Sequence, residues 1–263
     1  MAIRKLGLVA LGYLLSTASF AGSMGLDYTN FGNGWFVASI SVGPGWARPG
    51  EDRGLLLQPD VLKLYIPDRR SRALRLIDTA DGTRTLATGD FFIGLRGEIN
   101  SAVEGQLGLS IGASSQVKLK GSVDEDANPL LNNFSYSYGV RNTRVALKAK
   151  FLYDMNFYDL FPYLSANVGM SYNHASGFSI SPTIPEELPA PTFADNGQTE
   201  LSYGMGVGLE TSLDPSWRLG LGYEFLDWGK SALGPAFGQT GNTGLTIDHL
   251  RSHALLISVS YLA

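Results

Sequence analysis

The chain has 263 residues, a formal charge of -4, no cysteine, 32 glycines and 11% aromatic residues. The mild acidity and the absence of a long basic run argue against nucleic acid as a partner. The missing cysteines exclude a disulfide scaffold and a thiolate metal site. Glycine and rings in these amounts suit strands that end in turns, and the length fits one all-β domain or two small ones.

Residues 1–21 read as a secretory signal peptide. Arg4 and Lys5 form its charged start, Leu6 to Leu15 its apolar stretch, and Ser19 and Ala21 the small residues for cleavage before Gly22. The apolar stretch is shorter than the roughly 20 residues a membrane-spanning helix needs. Removing Arg4 and Lys5 takes the formal charge from -4 to -6. No later segment is apolar and long enough for such a helix. Residues 22–263 are therefore expected to form one exported domain, and any membrane crossing must be made by strands.

A lipid-exposed strand shows an apolar side chain at every second position over about 10 residues. Eight segments do so: 34–43, 89–99, 102–112, 143–154, 162–174, 200–213, 217–227 and 252–262. The first sets Phe36, Ala38, Ile40 and Val42 against Ser39 and Ser41. The fourth sets Val145, Leu147, Ala149 and Phe151 against Arg144, Lys148 and Lys150. In five of the eight, charges occupy the face opposite the apolar one. The expected fold is all-β: an eight-stranded, antiparallel, up-and-down transmembrane β-barrel, the even strand number being what closure requires. Alternation alone also fits a soluble β-sandwich, so the connections have to decide.

The connections alternate in length. Asn100-Ser101, 156–161 and Asp214-Pro215-Ser216 are short; 44–88, 113–142, 175–199 and 228–251 are long. Short periplasmic turns and long extracellular loops are the layout of outer-membrane barrels. Phe157, Tyr158, Phe161 and Tyr163 at one turn, Trp217 at another and Tyr261 at the end are expected at the membrane interface, where a ring can be half wet.

The final residues, from Leu255 to Ala263, resemble the C-terminal signal read by the barrel assembly machinery, with Tyr261 in place and Ala263 where a Phe is usual. Phe161-Pro162-Tyr163 with Gly169 resembles the fifth strand of the small OmpA-like, opacity-type outer-membrane barrels. The run from Gly222 to Lys230, Gly-Tyr-Glu-Phe-Leu-Asp-Trp-Gly-Lys, is similar to Legionella and Coxiella members of that broad family. The resemblance covers the mature chain loosely and residues 155–263 best. It implies a Gram-negative outer-membrane location. It leaves function open, because such barrels host adhesins, structural proteins and narrow pores.

Eight strands enclose a space that side chains can fill. The inward residues expected to form a lumen charge network are Arg96, Glu98, Glu104, Arg144, Lys148, Lys150, Glu210, Arg218 and Glu224. Glycines 204, 206, 208, 220 and 222 leave room into which the long basic side chains are expected to reach. At the first hairpin, a turn at Ile99 to Ser101 would set Arg96 opposite Glu104; the alternative register opposes Glu98 to Glu104, two like charges, and is the less favoured. The network reads either as a static plug or as a gated ion path.

Outside the lumen, Arg69, Arg70, Arg72 and Arg75 in the first long loop offer guanidinium forks suited to phosphate. The plain reading of the run is a solvated loop; lipopolysaccharide phosphates or a host surface molecule are the partners it would fit. The third long loop is proline-rich and expected to lack regular structure. Asp124, Glu125 and Asp126 in the second lack the glycine and distal glutamate of a calcium loop and are expected to form a solvated tip. The only histidines are 174, 249 and 253, too few to show a metal cluster. His174 and Ser176 share a strand face, with Glu186 and Glu187 following, which admits triad logic; their surroundings do not otherwise match a lipid-A-modifying hydrolase. The expectation is a non-enzymatic surface-interaction barrel without cofactor or metal. A narrow channel is the alternative, and a lipid A hydrolase the most remote one.

Overall fold

The computed structural model describes residues 35–49, 54–58, 61–67, 84–125, 132–155, 159–183, 192–236, 239 and 244–263. The signal segment 1–21, the arginines at 69, 70, 72 and 75, Phe157, Tyr158, Glu186 and Glu187 lie outside these residues. The elements in chain order are β1 (Phe36–Pro49), β2 (Gly54–Gln58), β3 (Val61–Pro67), β4 (Arg84–Asn100), β5 (Val103–Ser114), β6 (Val117–Glu125) and β7 (Asn132–Tyr153). They continue with β8 (Leu160–Pro182), β9 (Asn196–Asp214), β10 (Trp217–Asp227), β11 (Ser231–Ala232), β12 (Thr246–Ile247) and β13 (Leu250–Leu262).

Eight of these close a ring in the order β1-β4-β5-β7-β8-β9-β10-β13, with β13 returning to β1, every pairing antiparallel. Closure removes the free edges that lipid cannot hydrate. Backbone bonds complete the seam: Phe36 and Ala263 exchange N–H···O contacts of 3.0 Å each, and Leu262 N donates to Ser216 O at 2.8 Å. Arg96 N donates to Trp35 O and Asp154 N to Ala102 O, both at 2.8 Å, so the start of β1, the end of β13 and the short turns share one rim. Asparagine and aspartate shape two of those turns. Asn100 Oδ1 accepts from Ala102 N at 2.9 Å, and Asp214 Oδ1 accepts from Ser216 N and Trp217 N at 2.7 and 2.9 Å.

All eight expected strands are present, and their outer wall is apolar. Ile40, Val42, Phe91, Leu107, Leu109, Val145, Leu147, Val168, Met170, Met205, Leu221 and Ile257 are all half exposed on it. A continuous apolar surface of this extent belongs against lipid rather than water. Trp217 packs on Tyr261 at a centroid distance of 5.0 Å near the rim of short turns. Tyr172, Tyr203 and Tyr223 stand toward the other end. Phe161 and Tyr163 depart from the interfacial position expected of them. The parity that turns Leu164, Ala166 and Val168 outward turns these two into the lumen, where they lie beneath Arg218 and Lys150.

The strands run well beyond the lipid-facing belt, so the expected long loops are in large part sheet. β6 follows β5 after two residues and pairs with the upper half of β7; the β2–β3 hairpin then adds to β6. Asp124 and Glu125, expected in a solvated tip, are backbone-paired in β6 with Leu64 and Lys63; Asp126 lies outside the described residues. The third loop also carries more order than its prolines suggested. β8 continues to Pro182, and Phe193 bridges Ala236.

The reason is a reversal of polarity along the same strands. On β7, the inward residues are Asn142, Arg144 and Lys150 at membrane level but Phe134, Tyr136, Tyr138 and Val140 above it. The outward residues change the opposite way, from Val145 and Leu147 to Arg141 and Ser135. Water replaces lipid outside, so the core moves inside. On β8 the switch uses Gly177, whose φ of 71° is accessible to glycine at little cost. A register shift against Ser137 and Gly139 accompanies it and turns Phe178 and Ile180 inward.

Candidate functional site in the barrel lumen

The lumen is filled by layers of paired side chains. In the layer nearest the short turns, Arg218 grips Glu104 with both terminal nitrogens, Nη1 to Oε1 at 3.2 Å and Nη2 to Oε2 at 3.0 Å. Arg96 approaches the same carboxylate at 3.4 Å, and Gln106 Nε2 donates to it at 2.8 Å. Arg218 also lies 4.2 Å over the Phe161 ring. Above this, Lys150 Nζ donates to Glu210 and sits 4.2 Å over the ring of Tyr163.

The next layer centres on two carboxylates. Asp90 accepts from Arg144 at 2.9 Å and Lys148 at 3.0 Å. Glu224 takes the same two cations at 3.4 Å each and accepts from Asn167 Nδ2 at 3.2 Å. Arg144 Nη1 donates to Asn167 Oδ1 at 2.6 Å. Higher still, Asn142 Nδ2 donates to Asn173 Oδ1 at 2.6 Å, and Asn173 donates to the carbonyls of Trp228 and Lys230 at 2.8 and 2.7 Å. Trp228 Nε1 donates to Ser252 Oγ at 2.7 Å, and its ring lies 5.8 Å from the Arg144 guanidinium. The space left around Ser41, Lys148, Lys150, Glu224 and Ser258 is a cavity of about 30 Å³, room for one or two waters.

Eight of the nine expected lumen residues therefore meet one another. Glu98 does not. It is exposed at the rim and makes no ion pair among the described residues. Its place is taken by Asp90, which strand parity alone puts on the Arg96 face of β4. The hairpin register also differs from expectation. Glu98 lies opposite Glu104 and Arg96 opposite Gln106, with an irregularity between Glu98 and Asn100. The like-charge pairing is tolerated because Arg218, from the far side of the ring, and Arg96, diagonally, both neutralise Glu104. Nor do basic side chains fill the glycine gap on β9 and β10. Tyr163 fills the part beside Gly208 and Gly222, where an added Cβ would collide with its ring or hydroxyl, and Asn167, Ser165 and Glu210 stand against Gly204, Gly206 and Gly220.

A dry lid closes the lumen from above. Tyr65, Tyr136, Phe178 and Phe193 pack edge-on or stacked at centroid distances of 4.9 to 6.3 Å. Val117, Leu119, Val123, Phe134, Trp228, Leu233, Ile247 and Leu250 complete the cluster. Each such side chain contributes about 1.5–3 kcal/mol on burial. Burial without a hydrogen-bond partner pushes the Tyr65 hydroxyl up to about 12. Nothing in the sequence reading located this lid. The inward apolar run Phe134, Tyr136, Tyr138, Val140 was its signal.

His174 and Ser176 occupy outward positions on β8, opposite Arg141 and Gly139. The His174 ring stacks on Tyr172 at 6.5 Å. Among the described residues, no group of three or more His, Cys, Asp or Glu side chains could hold a metal ion.

Replacing Arg144 by methionine destabilises the barrel by about 3–5 kcal/mol, because buried carboxylates lose a partner. Glu98→Gln, at an exposed site, changes stability by less than about 0.5 kcal/mol. Urea unfolding in lipid vesicles checks both. For Tyr65, the folded state favours the neutral phenol, so its contribution is intact below pH 10 and is lost as the pH climbs toward 12. Tyr65→Phe should be at least as stable as wild type at pH 7, since it removes an unsatisfied buried hydroxyl. Its advantage should widen between pH 10 and 12; a constant difference across that window would contradict the assignment.

Among curated protein sequences none matches the chain. Among solved structures, the outer membrane protease OmpT from Escherichia coli aligns with a TM-score of 0.47 at 10% identity, covering 90% of this chain and 99% of that one. OprG from Pseudomonas aeruginosa aligns at 0.42 and 12%, covering 88% and 98%. Neisserial surface protein A aligns at 0.39 and 14%, covering 86% and 96%. The profile described as "Outer membrane protein beta-barrel domain" matches residues 74–261. The chain belongs to that family of outer-membrane barrels and resides in the Gram-negative outer membrane.

Proposed function

We propose that the protein is a structural and surface-interaction barrel, closed to ion flow and without catalytic activity of its own. Its strands anchor it, and its extracellular part contacts lipopolysaccharide or host molecules. The observation that carries this reading is the filling of the lumen. Ion-paired layers occupy it from Glu104 to Glu224, and the aromatic lid lies above them. An ion would have to break buried pairs and then cross an apolar layer, where desolvation is costly. The guanidinium groups of Arg69, Arg70, Arg72 and Arg75 have the chemistry that suits phosphate.

Planar-bilayer recording tests the closed lumen. Wild type and Arg96→Ala should both show negligible current, and discrete steps in either would favour a narrow channel instead. Replacing the four loop arginines together by glutamine should weaken binding to immobilised lipopolysaccharide or to host cells by about tenfold or more, as loss of several charge-assisted bonds requires. Undiminished binding would move the contact elsewhere on the surface. Lipid hydrolysis by the wild type that is lost in Ser176→Ala would overturn the non-enzymatic part.

A further inference from the structure

The outward row at the top of β1, β13 and β10 contains an electrostatic conflict. Arg48 lies directly opposite Arg251 across the β1–β13 seam. Directly opposed strand residues hold their Cα atoms only about 4.5–5.5 Å apart, and like charges in that position are destabilising. Arg251 has one partner, Asp227, at 3.3 Å through Nε. Arg48 is exposed and has no ion-pair partner among the described residues. Of two guanidinium groups side by side, only Arg251 thus has a carboxylate.

That carboxylate is already occupied. Asp227 is fully buried and accepts from Gly229 N at 2.9 Å and Tyr203 Oη at 3.2 Å, with His249 Nδ1 at 3.1 Å. It holds Arg251 through Nε, and the two terminal nitrogens of Arg251 make no hydrogen bond among the described residues. The row beneath is aromatic: Trp46, His253 and Phe225 lie side by side, with His253 and Phe225 rings 5.3 Å apart. Tyr223 Oη reaches His253 Nδ1 at 2.5 Å. Below that, β1 and β13 show only uncharged side chains outward, including Val42, Ile40, Leu255 and Ile257, down to the rim of short turns. Arg48 and Arg251 are therefore the first outward charges above the acyl-chain zone on these strands, at headgroup height.

We propose that Arg48 and Arg251 form a clamp for a phosphate group carried by an outer-leaflet lipid, whose acyl chains lie along the apolar wall of β1 and β13. The proposal deepens the reading of a surface-interaction barrel and rests on it. A phosphate between the two forks converts a repulsive pair into a bidentate site. The phosphate could be that of lipid A or of a glycerophospholipid, and the chemistry is shared.

Native mass spectrometry of the detergent-solubilised protein separates these. The probes are bisphosphorylated lipid A, the same lipid without phosphates, and phosphatidylglycerol. Wild type should retain one bisphosphorylated lipid A, and Arg48→Gln should retain it about tenfold less, the loss expected of one charge-assisted contact. Arg48→Lys should fall between them. Preference for phosphatidylglycerol with the same dependence on Arg48 would support the clamp and assign it to glycerophospholipid. Equal retention by wild type and Arg48→Gln would overturn it, as would equal retention of the phosphate-free lipid or no lipid held at all. Arg48→Gln breaks no ion pair, so its heat-modifiable gel mobility should match wild type. In detergent alone its melting temperature should be unchanged or higher, and only wild type should gain stability on adding the phosphorylated lipid. The clamp and the loop arginines lie in different parts of the chain. Loss of loop binding with the clamp intact, or the reverse, shows which of the two readings has failed.

Discussion

Hydrocarbon cannot accept or donate a hydrogen bond, and every other feature of this chain answers to that fact. The backbone must pair with itself all the way round, so the last residue has to meet the first strand. Ala263 and Phe36 do so through two reciprocal backbone bonds. Once the ring is closed, side chains are sorted by parity alone. Odd and even positions see lipid or lumen, and a polar lumen in a low-dielectric wall must then satisfy its own charges. The layers from Glu104 to Glu224 are that satisfaction, with nearly every ionised head facing an opposite one.

The same parity accounts for how much could be read in advance. Eight strands, their order and their lipid-facing sides follow from alternation over about 10 residues, a signal that lipid contact makes strict. Eight of nine lumen charges follow too. Where the reading fell short, the cause lies in the third dimension. The register of the β4–β5 hairpin depends on a bulge near Ile99, and on Arg218 arriving from β10 to neutralise Glu104. Neither is local in sequence. Asp90 and Tyr163 were legible, because both lie on the lumen side of strands already recognised.

The extracellular part was harder for a different reason. Above the membrane the outer face turns polar and the inner face apolar, so a search for one fixed sense of alternation stops at the lipid boundary. Arg141 and Val140 on β7 mark that boundary, and Gly177 makes the crossing possible on β8. Trp228 ties the two regimes together. Its ring belongs to the dry cluster, its carbonyl takes bonds from Ser171 and Asn173, and the Arg144 guanidinium stands close to its indole. The Asp-Trp-Gly run that suggested kinship in the sequence is, in the fold, the joint between lumen and lid.

That joint connects two materials that respond to temperature in the same direction for different reasons. The lid is held by exclusion of water from rings and aliphatic chains, a force that fades on cooling. The charged layers beneath pay a dehydration penalty that shrinks on warming, so they tighten relative to their surroundings as temperature rises. On warming, the outer and inner halves of the plug therefore both gain strength, and its loosest condition is the cold one.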